Sequence, residues 1–323
     1  MSQHRSIPDV LEAHPRAGIL QAPPIIHRLP RLSSVTGCDL HVLRDDLTGF
    51  GLGGNKTRKL DYLLGDALRK GADTLVTSKA TSFSRNAAAA ATACGLELHV
   101  VLPGTEADHN PLSRALFDKF GTELHYTHEP EEGAEAISRD VSERLRSEGR
   151  IVYDLHPGGS DAIGALSYVQ VFHEIVDHAQ HSGTRFSHII HSTSSAGTQA
   201  GLVVGQCLQP YDTQIVGISA RLEASTQSER IRVLAMDTAG LLGTQLDESK
   251  ILVDDDFVGA GYAIPSDEGT SAAELFARSE GLLLDPVYSA KAAAALLHYA
   301  STGRLGDGAA LFVHTGGNSG LFY

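Results

Sequence analysis

Residues 51–59 read Gly51-Leu52-Gly53-Gly54-Asn55-Lys56-Thr57-Arg58-Lys59. Glycines at a loop-to-helix junction let the backbone come close to a ligand. The start of a helix offers free N–H groups and the positive end of its dipole. Lys56, Arg58 and Lys59 add three cations to that point. Two readings fit this segment taken alone: an anion-binding turn, and a capped helix with a solvated basic face. A nucleotide-binding P-loop needs Gly directly before Lys, whereas Asn55 stands there and no strong strand leads in.

A second segment, Ser194-Ser195-Ala196-Gly197-Thr198-Gln199-Ala200-Gly201, lies between an apolar strand ending near His191 and the apolar run Leu202-Val203-Val204. A small-residue turn in that place converges N–H groups and hydroxyls on one point, with a helix dipole behind them. Phosphate suits it better than an ordinary turn does. A third group comprises Glu268-Gly269-Thr270, Asp285-Pro286-Val287-Tyr288-Ser289 and His314-Thr315-Gly316-Gly317. Polar residues just past strand ends in open α/β sheets are where ligands usually sit. Each of these pieces alone defaults to structure. His173, His178 and His181 lack zinc spacing and read as a solvated helix face, so no metal site is expected. No glycine-flanked serine elbow of the hydrolase type is present.

These segments need elements to hold them. Residues 1–50 read as an irregular lead-in broken by Pro23, Pro24 and Pro30, with a strand at 41–44. Strands are then expected at 74–77, 98–102, 123–126, 151–153, 187–191, 215–218 and 309–314. Helices are expected over 60–68, 87–93, 111–120, 131–147 and 162–179, and after the second motif. Such alternation implies parallel sheets with helices on both faces. No Gly-, Ser- or Pro-rich linker splits the chain, so a second domain would be a central insertion into the first.

The 323 residues suffice for two modest cores. The formal net charge of -13 disfavours nucleic acid and anionic membranes as partners. Cys38, Cys94 and Cys207 are odd in number and lack metal spacing, as expected of reduced thiols. The start, Met1 to Arg5, shows no apolar signal region, and no apolar run reaches the roughly 20 residues that span a bilayer. A cytoplasmic location is expected.

In order along the chain, from about Pro23 to Tyr323, these segments resemble one family. It is the group of fold-type-II pyridoxal-phosphate enzymes that contains D-cysteine desulfhydrase and 1-aminocyclopropane-1-carboxylate deaminase. Gly53 to Leu60 carries the resemblance most specifically, with Gly158-Gly159-Ser160-Asp161-Ala162 a weaker match. The resemblance implies an α/β fold of two open parallel-sheet domains, of the tryptophan-synthase-beta-like kind. Residues 1–55 and 163–323 would form the large cofactor-binding domain, and residues 56–162 the smaller inserted one. It implies pyridoxal 5'-phosphate as cofactor, carried on Lys56. Asn55, Lys59, Ser195, Ala196, Gly197 and Thr198 would bind it, with Ser289 opposite the pyridine nitrogen. Tyr262 and Tyr288 match two tyrosines that face the substrate, and Gly159 and Thr315 fall on the substrate side. A homodimer is also implied.

Two positions choose within the family. The deaminase pattern has Glu where Ser289 stands and Leu where Thr315 stands, so both resemble the desulfhydrase pattern. A hydroxyl holds a pyridinium proton less well than a carboxylate, which makes the ring a weaker electron sink. One segment departs from the family, which has Gln-Ser-Asn before its alanine-rich helix. Counting forward from Lys56 places Ser82-Phe83-Ser84 there, and counting back from Gly95 places Ala80-Thr81-Ser82. A later helix start makes Ser84-Arg85-Asn86 the match. Thr81, Ser82, Ser84 and Asn86 are therefore the candidate substrate-binding residues, with Lys79 and Arg85 adding charge nearby.

The resemblance implies a lyase or deaminase of a small amino acid that yields keto acid, ammonia and a leaving group such as sulfide. Freed from the cofactor by the substrate amine, Lys56 would take the Cα proton. Cysteate sulfo-lyase, cyclopropane deaminase and β-replacement chemistry fit the same scaffold. A non-catalytic cofactor or amino-acid binding protein is the alternative from another class.

Overall fold

The computed structural model describes residues 6–20, 23–49, 51–127, 133–317 and 321. The start at Met1–Arg5, the first two residues of the helix expected from 131, and the end of the family match at Tyr323 lie outside them. Among the described residues ten strands are formed: β1 (Ile26–Arg28), β2 (Leu40–Arg44), β3 (Thr74–Ser78), β4 (Glu97–Pro103) and β5 (Glu123–Thr127), then β6 (Val152–Asp154), β7 (Phe186–Thr193), β8 (Gln214–Ser219), β9 (Leu252–Asp254) and β10 (Ala309–His314). They form a six-stranded sheet in the order β1-β2-β10-β7-β8-β9 and a four-stranded sheet in the order β5-β4-β3-β6.

The small sheet is parallel throughout. The large one is parallel, as expected, except at β1, which runs antiparallel to β2. The lead-in is also more ordered than its prolines suggest. It holds helices Ile7–Leu11 and Pro30–Thr36, and Pro30 begins the second one, where its missing N–H leaves no intrahelical bond unmade.

Both faces of the large sheet are covered, which is why its strands read as apolar runs. Along β10, Leu311 and Val313 pack with Val169, Phe172 and Val203 from helices Ala162–Ser182 and Gly197–Leu208. Ala310 and Phe312 face the other way, onto Phe276 and Leu296 of helices Asp267–Glu280 and Ser289–Ser301. The small sheet buries Leu75, Val100 and Leu102 against Ala87, Ala88 and Ala91 of helix Ser82–Cys94, which Gly95 ends at a φ of 69°. Helix Asn55–Arg69 packs on Ala162–Ser182 and on Ser82–Cys94, and so joins the two sheets. The turns that follow β2, β7 and β10 in the large sheet carry the site.

Candidate active site

Helix Asn55–Arg69 begins at Gly54, whose φ of 101° suits glycine. The Gly54 N–H donates to Asp45 O (2.9 Å) after β2, and the Asn55 N–H donates to Thr315 O (2.9 Å) after β10. A Cβ on Gly54 would stand 3.0 Å from that same Thr315 oxygen. The turn is thus wedged between two strand ends.

Lys56 and Lys59 are three apart and share a helix face. Both amines donate to Gly158 O, at 3.3 Å and 3.2 Å, and Lys56 Nζ also donates to Ser195 Oγ at 3.3 Å. Burial pulls the Lys56 amine down to about 8, against a hydrogen bond with Lys59 that raises it. Burial, and then the charge of Lys56, hold Lys59 well below the usual lysine range. Arg58 points elsewhere. Its Nε donates to Asp45 Oδ1 at 2.6 Å, and its Nη1 lies 3.7 Å from Glu174. Tyr168 donates its hydroxyl proton to the other Asp45 oxygen. The three cations of the sequence therefore separate into an amine pair at the cleft and a buried guanidinium behind it.

After β7 the chain turns through Ala196, a non-glycine residue at a φ of 69°, into helix Gly197–Leu208. A Cβ on Gly197 would meet Lys59 Nζ at 2.8 Å, so the amine lies against the first turn of that helix. Asn55 Nδ2 donates to Thr198 Oγ1 at 3.1 Å. Asn55, Lys56 and Lys59 are in this way brought together with Ser195, Ala196, Gly197 and Thr198. Amines and a helix start converge on one small space, and that donor set fits a phosphate.

The C-terminal segments close the other side. Ser289 is buried; its hydroxyl donates to Asp285 Oδ1 (2.5 Å) and accepts from Asp285 N (2.8 Å). Asp285 Oδ2 accepts from Val287 N and Tyr288 N. Gly317 packs on Asp285, where a Cβ would come within 2.5 Å of Oδ1. Thr315 Oγ1 lies 3.1 Å from Ser192 Oγ. The Tyr262 and Tyr288 hydroxyls are 2.5 Å apart. Burial, then Tyr262, raises the Tyr288 phenol above its ordinary range, while Tyr262 is 47% exposed.

Helix Ser82–Cys94 borders the remaining side and begins at Ser82, so the reading that starts it later does not hold. Ser84, Arg85 and Asn86 lie inside it. Ser84 Oγ accepts from Thr81 N (2.9 Å) and donates to Lys79 O (2.6 Å), which closes the helix start. Asn86 Nδ2 donates to Gly53 O (2.9 Å) and Thr57 Oγ1 (3.1 Å), bracing the Lys56 turn. Arg85 is buried and donates to Ser113 Oγ at 2.9 Å. Lys79 takes a φ of 72°, and its amine lies 3.6 Å from Glu135. Thr81 and Ser82 stay partly exposed at the helix start. Gly159 (φ of 60°) fits between Phe83 and Lys59: a Cβ there would lie 3.0 Å from the Phe83 ring and 3.1 Å from Lys59 Cβ.

Asp45 and Tyr168, which tie these pieces together, were not singled out from the sequence. The signal available was slight: an acidic pair, Asp45-Asp46, directly after an apolar strand.

A model of the family described as pyridoxal-phosphate dependent enzyme matches residues 20–316. The chain belongs to this pyridoxal-phosphate-dependent family. A protein named D-cysteine desulfhydrase from Serratia proteamaculans (strain 568) is 38% identical over 325 residues, 97% of this chain and 96% of the relative. One of the same name from Salmonella typhi is 37% identical over 321 residues, 97% of each. A solved structure described as an ACC deaminase homologue superposes with a TM-score of 0.89 at 33% identity, covering 98% of this chain and 96% of that one. A threonine deaminase structure shares the fold at a TM-score of 0.72 and 19% identity. The cradle of this pyridoxal-phosphate-dependent enzyme fits that cofactor on its own geometry. Lys59 and the helix start at Gly197 suit the phosphate, and Lys56 offers an amine whose low pKa favours bonding to an aldehyde.

Proposed function

We propose that this enzyme is a lyase that removes a leaving group from Cβ of a small amino acid, in the manner of a D-cysteine desulfhydrase. The observation that carries this is Lys56, an amine at about 8 held by Gly158 O and Ser195 Oγ beside the phosphate cradle. Pyridoxal phosphate, when bound, draws electron density from the substrate Cα. Lys56, the Lys59 amine and residues 195–198 would hold it, with Ser289 at the pyridine nitrogen. The Lys56 amine is placed to take the Cα proton, since a neutral amine near pH 8 is a competent base. The paired hydroxyls of Tyr288 and Tyr262 can pass a proton to the departing group. The Cα–H and Cβ–sulfur bonds break, water replaces the nitrogen, and keto acid, ammonia and sulfide result. Thr81, Ser82 and Gly159 would contact the substrate. Ser289 in place of a carboxylate supports elimination over ring opening, as do the names of the relatives.

The same proposal divides the chain into a cofactor unit, 1–55 with 163–323, and a smaller unit, 56–162. In support, the large sheet draws its strands from 26–44 and 186–314, and the small sheet from 74–154. It also includes a cytoplasmic homodimer, in keeping with three free cysteines and with Val233, Met236 and Leu241, apolar side chains exposed on one helix. Sedimentation at micromolar concentration tests the dimer. The reaction is tested by giving the holoenzyme D- and L-amino acids and measuring keto acid, ammonia, sulfide and sulfite. Sulfide with keto acid from D-cysteine is the expected result. A spectrum that responds to amino acids with no product formed overturns it in favour of a binding protein.

A further inference from the structure

Between β9 and helix Asp267–Glu280 the chain runs from 255 to 265 without a regular element, and Tyr262 projects from it. Long irregular segments inside compact domains are commonly functional. The start of this one is tied by a turn bond from Val258 N to Asp255 O (3.2 Å) and by Asp255 Oδ2, which accepts from Ala224 N (2.6 Å), and further on the Tyr262 hydroxyl meets Tyr288 at 2.5 Å. Beside the Arg221 guanidinium, 5.6 Å from the Tyr262 ring, the hold nearest Tyr262 comes from helix Ser289–Ser301. Its third residue, Lys291, is 1% exposed among Ala290, Ala292, Ala293, Ala294 and Ala295. Among the described residues Lys291 forms no ion pair. Its amine donates instead to Val258 O (2.7 Å), Gly261 O (3.0 Å) and Ala220 O (3.5 Å).

An ammonium has three donors, and here three carbonyls receive them. Two of those carbonyls belong to the irregular segment, one of them directly preceding Tyr262, and the third follows β8. A charge buried without a carboxylate is costly, and an apolar side chain would fill the same space more cheaply. The arrangement is explained by what the amine holds. We infer that Lys291 is a positioning residue that pins the 255–265 segment, so that Tyr262 stands over Tyr288 at the mouth of the site. This rests on the proposal that the tyrosine pair faces the substrate. Lys291 touches neither substrate nor cofactor in this account.

The test compares holoenzyme with K291M and K291R by hydrogen exchange and by steady-state kinetics. In K291M, amide exchange in 255–265 is expected to rise about tenfold or more while the large sheet stays protected. KM should rise about tenfold with a smaller fall in kcat, because Tyr288 keeps its place and only the contact through Tyr262 is lost. K291R keeps the charge but offers a planar fork in place of three tetrahedral donors, so intermediate exchange is expected. If K291M does not fold, K291R alone decides. Exchange and KM equal to the wild type in whichever variant folds overturn the inference, even with desulfhydration intact. Raised exchange in a protein that turns over no amino acid sustains the latch and removes the proposed reaction.

Discussion

The two sides of the cleft are built differently. On the cofactor side the polar groups are paired, and all but the partly buried Asn55 and Lys56 are buried: Asp45 with Arg58 and Tyr168, Asn55 with Thr198, Lys56 and Lys59 on Gly158 O. Apart from the Asp45–Arg58 pair, these contacts join segments 99 to 143 residues apart. On the proposed substrate side Thr81 and Ser82 are partly exposed, Tyr262 is open to solvent, and the 255–265 segment is tied down at a few points, by the Lys291 amine, by Asp255 and by Phe257. Holding the cofactor is shared by every chemistry on this scaffold, and it sits where change is costly. Substrate choice, as proposed above, would sit where side chains can be exchanged with little loss of stability.

The contrast can be pressed at four points. Lys56→Ala should reduce turnover by about 10⁴-fold or more, since it removes both the proposed anchor and the proposed base, and dialysis should then strip the cofactor. Spectra before and after dialysis check this, and a variant that keeps full activity would sink the assignment. Asp45→Ala strands the Arg58 guanidinium away from water, and urea unfolding should show a loss of about 3–5 kcal/mol.

The third point is pH. The Lys56 amine has a folded value of about 8 against 10.5 for the free side chain, so the unfolded chain binds the proton more readily between them. Stability must then rise with pH across that window. In cofactor-free protein Lys56→Met should gain up to about 3 kcal/mol at pH 7, and the gain should vanish near pH 10.5. Unfolding midpoints at both pH values measure it. The smallest effect belongs to the substrate side. Ser84→Ala loses the bond that closes the helix start and should cost about 1 kcal/mol, with cofactor retention unchanged.

Much of the cofactor side was legible in the sequence. The glycine-flanked turn at 51–59 and the small-residue turn at 194–201 carry local signals, and local signals survive without knowledge of the fold. What each cation does was less visible. Lys56, Arg58 and Lys59 look alike until the helix start at Asn55 is known; its period then puts 56 and 59 together and turns 58 away. Asp45, the partner of Arg58, comes from another strand end and carried only a faint mark. The substrate side was ambiguous because Ser84 and Asn86 are residue types that serve equally well as cap, brace or ligand. Lys291 had a usable mark, a single cation in an alanine run, since a lysine inside a buried helix needs acceptors.

The strand order carries a consequence for how the molecule is made. The C-terminal strand β10 lies inside the large sheet, between β2 and β7. A chain emerging from the ribosome can complete the small sheet once β6 is out, but β2 lacks its inner neighbour until Ala309–His314 arrive. The wedge that seats Lys56 uses Thr315 O, so it closes at the same moment. The cofactor's binding site thus waits for residue 315, and a chain interrupted before it carries the lysine without the pocket that makes it useful.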